Sequence, residues 1–167
     1  MRRPQEQSGY TSVTAPGLLL GIGFGGMFDG VLLHQVLRWH HLLSSEGCCP
    51  VTDVRGLNLN TTADGIFHLF AIVLLLLGVT ILWRRTQNRL WSGRQLLGLG
   101  LVGWGMFNLV EGVIDHQILG IHHVRTGPDQ FLYDVGFLGF GAILVMAGSL
   151  FARTTSPRDP TQRTTKA

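Results

Sequence analysis

The sequence predicts an all-α integral membrane protein, a four-helix bundle built from a duplicated two-helix hairpin. Three observations lead there. Four long runs carry almost no charge, the basic residues gather on one side of the resulting topology, and a fourteen-residue motif recurs at an offset of 82.

Residues 1–16 are polar and Pro-bearing without periodicity, which reads as a disordered cytoplasmic tail. The apolar stretch that follows is too long for a cleavable signal peptide and is followed by no small-residue cleavage site, so the first helix is expected to serve as its own insertion signal and stay. The chain is 46% apolar and only 14% charged, against roughly 25% charged in an average soluble domain. Residues 17–33, 65–83, 96–110 and 135–152 contain one acid, Asp29, and no base. With their flanks, each reaches the roughly 20 apolar residues that cross a bilayer as a helix. The expected transmembrane helices are about 17–39, 63–83, 95–119 and 131–152, making 17–152 one transmembrane domain.

In the first helix, "GIGFGG" fits the letter of a dinucleotide-binding glycine motif, but no strand precedes it and it lies inside a span. Gly17, Gly21 and Gly25, four apart, read instead as a surface for close helix packing. The 40–62 loop holds adjacent cysteines, Cys48 and Cys49, able to form a vicinal disulfide, bind a soft metal, link another chain or play no role. It also holds Asn60-Thr61-Thr62, formally a glycosylation sequon. The 84–94 loop is basic, and residues 153–167 form a second polar tail.

Ten of the thirteen basic residues fall on the side of this loop and the two tails; only Arg38, Arg55 and Arg125 lie on the other. The positive-inside rule places both termini in the cytoplasm and the 40–62 and 120–130 loops outside. The net charge of +3 is thus a topology signal and not a nucleic-acid patch. The expected partners are the lipid bilayer, with a second copy or another membrane protein as candidates.

The repeat carries the chemistry. "DGVLLHQVLRWHHL" at 29–42 aligns without a gap on "EGVIDHQILGIHHV" at 111–124. Asp29 meets Glu111, His34-Gln35 meets His116-Gln117, and His40-His41 meets His122-His123. A weaker echo, "ADGIF" against "YDVGF", pairs Asp64 with Asp134. Two-span units keep one orientation, so the copies are expected to be related by an axis along the membrane normal, with helix 1 facing helix 3. At 1.5 Å per residue the acids Asp29 and Glu111 lie about 16–18 Å inward of the paired histidines.

All seven histidines, His34, His40, His41, His68, His116, His122 and His123, join Asp29, Asp64, Glu111 and Asp134 in one column from mid-membrane to the outer face. Uniform α-helical phase puts His34 and His41 on one face of helix 1, and Asp29 with His40 on another, about 120–140° away. Both faces cannot point at one axis, so two adjacent sites are as natural as one. Hydrogen bonding between helices is the bland account of any single histidine. The whole constellation points to metal ligation: imidazole with carboxylate suits Fe, Mn, Zn or Cu(II), and helix bundles house such sites. Ionisable groups at membrane depth are costly and mark function. Haem is the rival cofactor, weakened by the close ligand spacing and the unexplained acids.

The strings "GFGGMFDGVLLHQVLRWHHLLS", "FNLVEGVIDHQILGIHHV" and "YDVGFLG" resemble a family of bacterial predicted membrane proteins of unknown function. The resemblance implies a four-span protein of the bacterial inner membrane and supplies no activity. It also suggests a place near cytochrome oxidase assembly, which leans the metal toward copper. The leading expectation is a metal-binding membrane protein, with metal-dependent oxidoreductase chemistry as one form it could take. A metal-handling or assembly protein, a b-type haem protein and a metal-free proton or solute conduit are the alternatives.

Overall fold

A computed structural model describes residues 10–153 apart from Glu46 and Cys48. The tails therefore fall largely outside the described residues. The described chain is all-helical, and four of its helices are long and apolar enough to cross a membrane. They are α1 (Thr14–Asp29) and α3 (Gly93–Glu111), each counted with the π-helical stretch that continues it, together with α2 (Val54–Thr86) and α4 (Gln130–Arg153). Helices α1 and α3 each continue into a wider π-helical stretch, Gly30–Val36 and Gly112–Leu119.

Helices α1 and α3 form the central pair, with α2 packed on α1 and α4 on α3. Glycines make the central contact possible. A side chain at Gly17 would meet Leu99, one at Gly21 would strike the backbone of Gly100, and one at Gly25 would meet Trp104. All three members of the four-residue glycine spacing thus face α3. The flanking helices present long apolar side chains outward, among them Phe70, Leu76 and Trp83 on α2 and Phe131, Ile143 and Met146 on α4. That is the surface a lipid solvent requires.

Helix α2 begins well ahead of residue 63, at Val54, because Asp53 caps it by accepting from the Gly56 amide at 2.7 Å. Asn60 consequently sits inside a helix and is fully buried. Its amide nitrogen donates to the carbonyls of Cys49 and Gly56, and its oxygen accepts from the Leu43 amide at 2.9 Å. The formal sequon is therefore a clamp holding the preceding loop to α2. Cys49, in that loop, is buried and disulfide-bonded; Cys48 lies outside the described residues. At the opposite end, Thr11 donates to the Leu90 carbonyl at 2.9 Å, so the chain is ordered several residues before the expected helix start.

Candidate metal centre

The π-helical stretches set the site. In an α-helix, residues five apart point about 140° away from each other. Where each turn holds an extra residue they stack instead. Asp29 and His34 are five apart, and a carboxylate oxygen of Asp29 lies 3.1 Å from His34 Nε2. Glu111 and His116 have the same spacing across the second π-helical stretch. The chain then turns back. Arg38, with φ +50°, and Gly120, with φ +61°, occupy positions 82 apart and both adopt left-handed backbone. Beyond them the paired histidines no longer follow a helix and fold back over its end.

That reversal corrects the phase argument from the sequence. Asp29, His34 and His40 were assigned to two faces of a continuous helix, yet they converge. His34 and His40 ring centres are 4.3 Å apart, His40 and His122 stack at 4.8 Å, and His116 and His122 also lie 4.8 Å apart. Three overlapping sets bring one donor atom per residue within 4.8 Å of the others: His34, His40 and His122; Glu111, His116 and His122; and Asp29, His34 and Glu111. Six residues therefore surround one small buried volume. Their exposures run from 0% for His34 and His122 to 6% for Glu111.

Hydrogen bonds at the far ring nitrogens orient the histidines. His40 Nδ1 contacts the Val124 carbonyl at 2.9 Å, and His122 Nδ1 contacts the Leu42 carbonyl at 3.2 Å. Leu42 and Val124 are themselves 82 apart, so each histidine is held by the loop of the other half. A carbonyl can only accept. Each Nδ1 therefore carries the proton, and each Nε2 presents its lone pair. Neither Nε2 has a hydrogen-bond partner. Burial, reinforced by nearby histidines, pushes both imidazoles down to about 3, so both are neutral at pH 7.

The remaining residues form a supporting layer. Asp64 accepts from His34 Nδ1 at 2.9 Å, His41 Nδ1 at 2.6 Å, the Leu42 amide at 2.9 Å and Gln35 at 3.2 Å. Asp134 does the same on the other side, accepting from His123 Nδ1 at 2.8 Å and the Val124 amide at 3.0 Å, while His116 Nδ1 lies 3.5 Å away without a hydrogen bond. Asp64, Asp134, His41 and His123 thus stand behind the converging donors and outside the three sets. His68 is apart as well: its ring lies against Gly30, where a Cβ would strike it. Nine buried side-chain atoms lack partners among the described residues, and seven of them belong to Asp29, His34, His40, Glu111, His116 and His122. Native proteins leave few such atoms unpaired, so this concentration marks a place that could take a ligand, although two of the atoms, Asp29 Oδ2 and His34 Nε2, face each other at 3.1 Å. A transition-metal ion fits it: neutral Nε2 donors, two carboxylates and a hydrogen-bonded second layer are what such ions take.

Sequence reasoning noted Gln35 only within the repeat and Asn60 only as a sequon, and it missed Asn108 and the two loop carbonyls. A polar Asn108 within the apolar run 96–110 was the one visible signal. Residues 16–155 match the model of a family described as "Predicted membrane protein (DUF2243)". No curated protein and no solved structure matches the chain.

Proposed function

The chain belongs to this family of membrane proteins, and we propose that in it α1 and α3 hold a pair of first-row transition-metal ions at the end of the bundle facing the outside. One observation carries the reading: His40 and His122 are buried with Nδ1 engaged by carbonyls and Nε2 unpaired, beside His34, whose Nδ1 meets Asp64 and whose Nε2 faces the Asp29 carboxylate at 3.1 Å. His34 and His40 with His122 would hold one ion and Glu111 and His116 with His122 the other, while Asp29 groups with His34 and Glu111 between them. Charge supports two ions over one. Asp29, Asp64, Glu111 and Asp134 are buried with no Lys or Arg among the buried residues. Two divalent cations would neutralise four carboxylates in a medium where unbalanced charge is costly.

Burial separates the remaining readings. A protein that hands its metal to a partner needs ligands the partner can reach, and the six converging residues are at most 6% exposed. A resident centre fits better. When bound, such ions supply one-electron redox steps or Lewis acidity, which makes a metal-dependent oxidoreductase the favoured activity. Rings packed 4.3–4.8 Å apart leave no slot for a macrocycle, which favours ions over haem. The donors are imidazole and carboxylate, and these suit Fe, Mn, Zn or Cu(II). The outward placement rests on the basic 84–94 loop at the opposite end, and a bacterial inner membrane is the setting the family resemblance implies.

The test is metal analysis and absorption spectroscopy of protein purified in detergent from cells supplied with all four metals. About two ions per chain are expected, with His34→Ala and His116→Ala each lowering the content by comparable amounts. Metal-free protein, or a haem band, would overturn the reading.

A further inference from the structure

Two crevices of about 310 Å³ each open on the lipid-facing surface and end at the candidate centre. The one between α2 and α3 reaches Glu111, and the one between α1 and α4 reaches Asp29. They occupy matching places, but their linings differ. Rings of Phe28, Trp39, Tyr133, Phe137 and Phe140 line the α1–α4 crevice. Asn108 also lines it, only 2% exposed, and its side-chain oxygen has no hydrogen-bond partner. The residue 82 positions before Asn108 is Gly26, so the other crevice has no amide there.

We propose that the α1–α4 crevice binds a membrane-dissolved aromatic alcohol, a phenol or quinol with an apolar tail. Its ring stacks among the aromatic side chains, and its hydroxyl donates to the Asn108 oxygen. Three features select this chemistry. An unpaired buried acceptor requires a donor, and a hydroxyl is one that a lipid-soluble molecule can carry at small desolvation cost. A ring-lined slot favours a flat π system over a flexible acyl chain, because offset and edge-on ring contacts add to area burial. The mouth lies where Trp39 and Tyr133 pack at 5.4 Å under the Arg125 guanidinium, an arrangement typical of the membrane–water boundary. Asp29 forms the inner wall, which places the hydroxyl beside the metal centre. The inference rests on the metal reading for its purpose, while the binding itself needs only the crevice.

Binding of 2-bromo-4-decylphenol and 1-bromo-4-decylbenzene is compared in nanodiscs, at equal mole fraction in the lipid. The readout is heavy-atom quenching of Trp39 and Trp104, with Trp83 and Trp91 replaced by Phe. The phenol is expected to quench saturably, about tenfold more tightly than the benzene, the margin of one hydrogen bond to a buried unpaired acceptor. Gly136→Leu fills the crevice from a position where an added Cβ meets nothing within 4 Å. It should weaken the phenol at least tenfold while metal content and melting temperature hold. Asn108→Leu should bring the phenol down to the affinity of the benzene. Equal affinity for the two compounds, or phenol binding indifferent to Gly136→Leu, overturns the proposal. Metal content measured on the same preparations reports the metal reading separately, since chelated protein should still bind the phenol.

Discussion

His40 and His122 are the histidines whose chemistry the surroundings define most fully. Each lies beyond the helix, donates Nδ1–H to a carbonyl from the opposite half, and is held neutral by burial down to about 3. An unfolded chain takes up protons at these positions near pH 6.5 whereas the native one refuses them. The unfolded state thus binds more protons across that interval, and stability rises with pH. Chelated protein in detergent should therefore melt at progressively lower temperature as pH falls from 6.5 toward 3, with this contribution fully present above 6.5. A melting temperature flat across that range would contradict the neutral assignment. Asp64 and Asp134 make a second residue-level test. Each orients histidines from behind, so Asp64→Asn and Asp134→Asn should weaken metal binding about 10–100-fold without removing a donor. Competitive titration against a chelator reads this out, and an unchanged affinity for both variants would show that the supporting layer is irrelevant.

The element that builds the site is the helix end. Both repeats leave α-helical geometry at the acid, run through a π-helical stretch, and stop at a left-handed residue, Arg38 in one and Gly120 in the other. Glycine adopts that backbone without penalty, whereas a side chain costs about 1–2 kcal/mol there. Arg38→Gly should be neutral to stabilising and keep its metal. Gly120→Val, placing a β-branched side chain at φ +61°, should lower the melting temperature and loosen His122 and His123, with loss of metal. Equal behaviour of the two variants would mean that the turn does not position the histidines.

For the molecule as a whole, orientation and charge are the testable properties. With the basic loop inside, a cysteine at position 126 should react with an impermeant reagent added from outside, and one at position 88 should not. The labelling uses protein whose own cysteines are replaced by serine, and the reverse pattern would move the metal centre to the cytoplasmic side. Asp29 and Glu111 are buried between spans with no Lys or Arg near their depth, where an ionised acid costs about 2.5–3.5 kcal/mol on insertion scales. A cation in the proposed site would offset that cost. Asp29→Asn with Glu111→Gln should leave the protein inserted but strip or alter its metal. If the double variant instead melted higher and kept its metal, these carboxylates would have no part in the centre.

Four apolar helices and the glycine face of α1 were legible in the residues, because hydrocarbon solvent imposes composition and length directly on sequence, whereas the start of α2 at Val54 was not. The matched motifs at an offset of 82 also singled out residues that lie together in the structure, among them Asp29, His34, Glu111 and His116. Neither source could say which groups meet. Helical phase assumes uniform turns, and here the turns widen between Asp29 and Val36 and then reverse at Arg38. A one-residue change in pitch swings every later side chain by about 100°, which separates the six converging donors from the supporting Asp64, Asp134, His41 and His123. Asn60 and Asn108 show the same limit in reverse. Asn60 reads in sequence as a formal sequon and Asn108 as a polar residue in an apolar run, and only burial reveals one as a loop clamp and the other as an acceptor without a donor. Composition is written residue by residue, but convergence depends on backbone geometry and on packing between distant segments, and these exist only in the folded chain.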